Sequence, residues 1–321
     1  MDLAQASAAY RGELLAHCYR MLGSLHDAED LVQETMLRAW RFADGYDESR
    51  GSIRTWLYRI ATNACLSYLD GRQRRLLPVD LDGPSPSPDI AKLEQHLEIP
   101  WLEPFPETLA PSGDPSAVVE ARESIRLAFI AALQHLPPRQ RAVLILRDVL
   151  AMPAAEVASL LEMTVASVNS ALQRARVQLA AVSPSADGAG LVQPADEASR
   201  DLLDRYMAAF TTMDVEALKG TLREDALLQM PPFPEWFLGR DAIGEFLATV
   251  FALGRSYRFA HTATRANGQP ALGLYGRRNS GPHQFLHLQV MTMTETGIAR
   301  IDGFHDPDLY AKFGLPAVLE D

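Results

Sequence analysis

Apolar residues recur at helical spacing through the first 75 positions. Leu14, Leu15, Cys18, Met21 and Leu22 mark the core face of a helix over 8–24, with Gly23 near its end. A second helix starts at Asp27. Ala28, Leu31, Val32, Thr35, Met36, Ala39 and Phe42 fall on its core side, and Asp27, Asp30 and Glu34 on another, with Arg38 one turn beyond Glu34. A Gly- and Asp-rich loop spans 43–51. The stripe Ile53, Leu57, Ile60, Ala61, Ala64 and Tyr68 then predicts a third helix, which carries Arg54 and Arg59 and ends in Arg72, Arg74 and Arg75. These stripes predict a compact all-α unit over 1–75.

Nine prolines break the periodicity over 76–120, which reads as an acidic Pro-rich linker. Within it, "IPWLEPFP" sets Trp101 and Phe105 among prolines, and exposed aromatics in a linker usually dock somewhere. Residues 121–182 are helical again, interrupted at Pro137 and Pro138. "PAAEVASLLEM" and "VASVNSALQRARVQL" make two short helices around a turn at Met163 and Thr164, the spacing of a helix-turn-helix. Val168, Leu172, Ala175 and Leu179 point inward, leaving Ser167, Asn169, Ser170, Gln173, Arg174 and Arg176 outward. Such side chains read bases or phosphates: Asn and Gln suit adenine, Arg suits guanine. Residues 183–195 form a second, short and flexible linker. From 196 the pattern changes class. A helix and a strand–loop–helix segment precede runs alternating at period two, with turns at Asn267-Gly268 and Thr296-Gly297. Helices first and strands after predict an α+β domain over 196–321. The expected fold class is multidomain: two all-α domains followed by an α+β domain.

Charge narrows the partners. The 321 residues carry a formal net charge of −11. Residues 1–75 balance at ten basic and ten acidic side chains; 76–120 hold one Lys against nine carboxylates; 121–182 hold seven Arg against four. A chain this acidic binds free DNA poorly, because phosphate neutralisation supplies most non-specific affinity. Two cysteines, Cys18 and Cys65, sit on apolar helical faces in no metal or redox spacing, so both read as buried free thiols. No apolar run approaches the ~20 residues of a membrane span and no signal-peptide pattern opens the chain, so a soluble, cytoplasmic protein is expected.

"DAEDLVQETMLRAW" and "RTWLYRIATNACLSYL" resemble the promoter-melting domain of bacterial extracytoplasmic-function sigma factors. The resemblance implies that the helix from Asp27 docks on the β′ clamp helices of core RNA polymerase. Asp27, Asp30, Gln33 and Glu34 would then face polymerase. It also implies that the loop from Asp44 to Gly51, with Arg54, Arg59 and Asn63, faces the single-stranded −10 element of promoter DNA. "LPPRQRAVLILRDVL" followed by "TVASVNSALQRAR" is similar to the domain of that family that reads the −35 element and meets the β flap, with Asn169 and Ala171 departing from its commonest pattern. The acidic linker resembles the segment that threads toward the polymerase active centre.

The C-terminal stretch, through "MPPFPEWFLGRDAI" and "DGFHDPDL", resembles SnoaL-like members of the nuclear-transport-factor-type cone fold. The whole is similar to the SnoaL-appended, actinobacterial-type subgroup of these sigma factors. It implies an alternative sigma factor that initiates transcription, its C-terminal domain regulating in cis by contact with the sigma domains. The alternative is a SnoaL-type cyclase or hydrolase fused to a DNA-targeting module, since enzymes of this fold use Asp and His in the cone for acid/base work. His261, His283, His287, Asp302 and His305 are the candidate pocket residues. His283 and His287, four apart on a strand, are expected on one face. Histidines that merely satisfy backbone groups or touch the sigma domains are the plainer reading, fold alone not carrying function. No catalytic residue, cofactor or metal is expected.

Overall fold

The computed structural model describes residues 9–47, 49, 51–86, 90–109, 124–182, 197–253, 257–278 and 280–320. The chain divides into two units. The first comprises the described residues of Met1–Arg75 and Leu102–Pro184, and the second those of Leu76–Trp101 and Ser185–Asp321.

In the first unit α1 (Arg11–Leu22), α2 (Leu25–Arg41) and α3 (Ile53–Leu69) pack around Leu14, Cys18, Met21, Val32, Leu57, Ala61 and Cys65. Gly23 ends α1 with φ at 68°, and its N–H reaches Tyr19 O. A Cβ there would also lie 3.1 Å from the Gln134 side chain, so both backbone and space demand glycine. Cys18 and Cys65 are free and buried, and burial together with the neighbouring Cys18 pushes the Cys65 thiol well up. Four further helices follow: α4 (Leu127–Gln134), α5 (Pro138–Leu144), α6 (Ala154–Leu161) and α7 (Val165–Val182), with a π-helical turn at Ile145–Val149. Arg141 of α5 is buried and ties the unit together through the carbonyls of Met21, Gln134 and Leu136 and the Gln134 side chain. Phe105 is also buried, its ring centroid 4.8 Å from that of Tyr19.

The second unit is an α+β domain. Helices α8 (Glu197–Thr211), α9 (Val215–Lys219) and α10 (Arg240–Leu253) face a sheet of order β2-β1-β6-β5-β4-β3. Its strands are β1 (Leu222–Gln229), β2 (Trp236–Leu238), β3 (Tyr257–Ala266), β4 (Gln269–Arg278), β5 (His283–Thr294) and β6 (Gly297–Phe304). Helix α11 (Leu309–Lys312) precedes β7 (Val318–Leu319), which pairs with β5. Only β1 and β6 run parallel; the other described pairs are antiparallel.

The segment expected as a linker over 76–120 has two parts with different partners. Residues 76–101 lie on the C-terminal domain. Ser85 N–H donates to Trp236 O (2.7 Å), the Trp236 indole to Asp82 O (2.8 Å), Val79 N–H to Gln229 Oε1 (3.2 Å) and His96 N–H to Pro232 O (2.9 Å). Ile90 and Leu93 pack on the domain's apolar core. The segment also closes on itself. Leu76 pairs with Trp101, and the Trp101 indole donates to His96 O at 2.7 Å. Residues 102–109 belong instead to the first unit. Residues 110–120 and the second linker, 183–195, lie outside the described residues. Among the described residues, no helix is long and apolar enough to cross a membrane.

Candidate functional site

Helix α2 begins at Ser24, whose hydroxyl oxygen accepts the Asp27 N–H. Glu103 sits over the same end and accepts the Leu25 and His26 N–H groups at 2.9 and 3.1 Å, where the helix dipole favours a carboxylate. Asp27 turns into the fold and pairs with Arg75, both side chains mostly buried. Burial acts to raise its pKa, but the Arg75 charge and hydrogen bonds with Tyr68, Arg75 and Ser24 outweigh it and hold the carboxyl below its usual value. The expectation that Asp27 faces outward with Asp30 is therefore corrected: packing of 75 and 103 against the first turn claims it. Glu34 is half-buried and paired with Arg38 at 2.5 Å, while Asp30 and Gln33 are exposed. Two residues join them that the spacing did not single out. Leu37 is 61% and Trp40 73% exposed, and positions 30, 33, 37 and 40 share one face. Phe42, expected in the core stripe, is 60% exposed just past the helix end. Large apolar side chains left together in water mark a docking surface.

On α3, Ser52 caps the start and Tyr46 packs on Trp56 at 5.3 Å. Asn63 is exposed, but Arg54 is drawn inward, to Glu13 at 2.8 Å and over the Tyr58 ring at 5.0 Å. Helix α6 of the same unit brings two carboxylates to this face. Glu156 accepts the Thr55 hydroxyl at 2.5 Å, and Glu162 pairs with Arg59 at 2.8 Å. Between them lies a cleft of about 500 Å³, lined on one side by Tyr46, Trp56 and Arg59 and on the other by Glu156, Ser159 and Leu160. Of the loop from Asp44 to Gly51, Glu48 and Arg50 lie outside the described residues.

Helices α6 and α7 form the helix-turn-helix. Glu162 ends α6 in the left-handed region, φ 56°, and the Thr164 hydroxyl accepts the Ser167 N–H to start α7. Val168, Ala171, Leu172 and Ala175 are buried. Ser167, Asn169, Ser170, Gln173, Arg174 and Arg176 are all exposed on α7, and Arg176 forms a two-pronged pair with Asp148 at 2.8 and 2.7 Å.

The second unit holds an apolar cavity of about 300 Å³ between α8, α10 and the sheet. His287 and His305 line it, with ring centroids 4.1 Å apart. His261 pairs across β4 with Leu274, which itself faces His287, so it shares their side of the sheet and sits edge-on to Phe210 at 5.3 Å. Burial lowers the pKa of all three, to about 4 for His261 and His305, so each imidazole is neutral near pH 7. Two of the expected pocket residues are elsewhere. A β-bulge at Phe285–His287 inserts one residue opposite Leu274 and Tyr275, which reverses the alternation and sends His283 to the opposite face from His287. Asp302 lies between the cavity-lining Ile301 and Gly303 on β6, so its side chain points away. It is buried against Gln229 at 2.5 Å and Arg300 at 2.9 Å. Asp and His are thus not brought together. No metal-binding group of three ligands occurs among the described residues.

Three families match the chain in order: Sigma-70 region 2 over 7–75, Sigma-70 region 4 over 126–179, and the SnoaL-like domain over 203–301. The ECF RNA polymerase sigma factor SigG of Mycobacterium tuberculosis is 47% identical over 318 residues, covering 99% of this chain and 85% of that protein. SigJ, an ECF RNA polymerase sigma factor of the same organism, is 30% identical over 68% of this chain and 61% of its own length. The crystal structure of M. tuberculosis SigJ matches 98% of this chain and all of that one with a TM-score of 0.62 at 21% identity, a likeness of fold.

Proposed function

The chain belongs to the extracytoplasmic-function sigma factors that carry a C-terminal SnoaL-like domain, and from that premise we propose how its surfaces divide the work. It is an alternative sigma factor, directing RNA polymerase to specific promoters. The observation that carries the docking reading is the exposed face of α2. Asp30 and Gln33 supply polar specificity, and Leu37 and Trp40 supply apolar area that only a protein partner would cover. That face is assigned to the β′ clamp helices. Arg59 and Asn63, with the loop from Asp44 to Gly51, meet the melted −10 strand, Tyr46 and Trp56 adding rings on which bases stack. Arg54, bound to Glu13, positions Tyr58 and α1 rather than DNA. Asn169, Ser170, Gln173, Arg174 and Arg176 of α7 read the −35 element, with Ser167 at its N-terminal end, while the rest of that helical domain meets the β flap. The work is regulation in the cytoplasm, where polymerase is; the SnoaL-like fold by itself does not imply an activity.

The SnoaL-like domain acts in cis by holding the segment 76–101. Promoter elements at −10 and −35 lie roughly two helical turns apart, at ~34 Å per turn. A docked segment whose ends, Leu76 and Trp101, pair with each other adds no length between the sigma domains. Released, its 26 residues span up to about 85 Å. Docking therefore stores the reach that promoter binding needs.

The test is reconstitution with core RNA polymerase. The full chain is expected to co-elute with core and support run-off transcription from its promoter. A Leu37→Asp/Trp40→Asp variant with native circular dichroism is expected to lose both. Undiminished co-elution of that variant would remove α2 from the interface.

A further inference from the structure

What α7 buries fixes the direction in which it faces outward, since each residue turns the helix by about 100°. Val168, Ala171, Leu172 and Ala175 face the domain. Ala166, Ser170, Gln173 and Val177 therefore run along the opposite line, with Asn169 beside it, and all five are exposed. None of them is charged. Val177, 68% exposed, keeps the line uncharged beyond Gln173. The arginines stand off this line. Arg174 and Arg176 lie about 160° apart around the helix, one on each flank. Asp148 occupies both prongs of the Arg176 fork, at 2.8 and 2.7 Å. Between two cations, the line thus offers methyl groups, one hydroxyl and two carboxamides.

We propose that α7 reads a run of at least three consecutive A·T base pairs in the −35 element. Ala166 meets a thymine methyl, Asn169 and Gln173 each pair with an adenine, and Arg174 and Arg176 hold phosphates on either side of the groove. This rests on the reading of α7 as the −35 helix and adds the class of base that it takes. In a helix-turn-helix, the N-terminal residues of the second helix meet the base edges. Ala166 to Gln173 covers about 10 Å of helix, or about three base-pair steps. The chemistry follows from what the line holds and lacks. A carboxamide donates to adenine N7 while accepting from its N6 amino group, and a methyl group packs on that of thymine. Guanine is claimed at O6 and N7 by an Arg or Lys, and the cytosine amino group by a carboxylate. Neither kind of side chain stands on the outward line between Ala166 and Gln173. Cations off the line suit phosphates, whose contacts set register without carrying sequence.

Holoenzyme reconstituted from the full chain and core RNA polymerase tests this by selecting from duplexes randomised across both promoter elements. The recovered sequences are expected to share an upstream element with at least three consecutive A·T pairs. Changing the pair met by Asn169 or by Gln173 to G·C is expected to weaken holoenzyme binding about tenfold. Asn169→Arg and Gln173→Arg are each expected to recover G·C at a different position of that run. Such a change of preference, unlike a loss of binding, cannot come from a misfolded helix. Arg174→Ala is expected to weaken binding to all recovered sequences alike and to leave the element unchanged. It should also reduce the slope of log affinity against log salt by about one. A shared upstream element that already holds G·C at the positions moved by the two arginine variants would overturn the base assignment alone. So would one that neither variant moves, or one that Arg174→Ala moves. Recovered sequences with no shared element upstream of the −10 would remove α7 as the reader, and the base assignment with it.

Discussion

Removing the side chains of Ile90 and Leu93 should release the segment 76–101 while leaving both units folded. Both residues are half-buried against the C-terminal core. Each alanine substitution deletes three carbons worth about 0.8 kcal/mol apiece when fully buried, and about half that here. The pair together costs about 2 kcal/mol of docking free energy, roughly a thirtyfold rise in the undocked population. The four hydrogen bonds to Trp236, Gln229 and Pro232 remain, each contributing about 1 kcal/mol net, so docking is weakened rather than abolished. Lys92 is the lone Lys or Arg between Arg75 and Arg122, which makes trypsin a direct reporter. When reclosing outpaces cleavage, the rate at Lys92 follows the open population. Ile90→Ala/Leu93→Ala is expected to raise that rate about thirtyfold and to raise run-off transcription with core polymerase. Truncation after Leu191, which removes the docking surface, sets the upper limit of both. Cleavage at Lys92 unchanged by the double substitution would refute the docking energetics. Accelerated cleavage with unchanged transcription would refute the idea that docking restrains activity.

The pairing of Asp27 with Arg75 assigns Asp27 to stability: Asp27→Ala should lose about 2 kcal/mol in urea melts, with folded protein still binding core polymerase, whereas Asp30→Lys should lose core affinity with its melt unchanged. His17 is fully buried, bonded to Thr62 at 2.9 Å, and burial with the nearby charges of Arg20 and Arg54 lowers its pKa to about 3. The unfolded chain takes up a proton near pH 6.5 that the folded chain refuses, so stability is full above that value and falls as pH drops toward 3. Near pH 5.5 the loss is about 1.4 kcal/mol from this residue, and His17→Phe should flatten that part of the pH–stability curve. Glu156→Gln/Glu162→Gln uncovers Thr55 and Arg59 and is expected to tighten binding of a single-stranded −10 oligonucleotide severalfold by anisotropy; unchanged affinity would mean α6 does not mask that face.

The helical stripes were readable because a 3.6-residue period is set locally, and the helix-turn-helix followed from turn chemistry at Met163 and Thr164. What a stripe does not give is which neighbour packs on each turn. Asp27 looks like a surface carboxylate until Arg75 is placed against it. Leu37 and Trp40 did leave a signal: α2 carries more large apolar side chains than one buried face accommodates, and the surplus sits four and seven residues beyond Gln33. The period-two rule put His283 and His287 together and failed at one inserted residue, since a bulge has no compositional mark here. Asp302 failed for a related reason, its neighbours rather than itself lining the cavity. Prolines over 76–120 identified a non-helical segment but not its partner, because backbone hydrogen bonds to Trp236 and Pro232 leave no trace in side-chain pattern.

The pairing of surface charges bears on how the free chain behaves. Its net charge of −11 disfavours DNA, and in the structure two of the cations proposed to meet DNA already have carboxylate partners: Arg59 with Glu162, and Arg176 with Asp148. Exposed pairs of this kind contribute little to stability, so they are readily exchanged for phosphate once a duplex or melted strand is held in place. They nonetheless subtract from the number of phosphates a free chain can neutralise, and non-specific affinity scales steeply with that number. On the proposed docking, core polymerase bound at the α2 face would supply positive surface of its own and change the balance at the promoter alone. On the proposed regulation in cis, a segment that withholds reach until undocked would act on the same side of that balance. Weak ion pairs and a docked segment of modest affinity suit this task better than a strong lock, because polymerase binding must be able to overcome them.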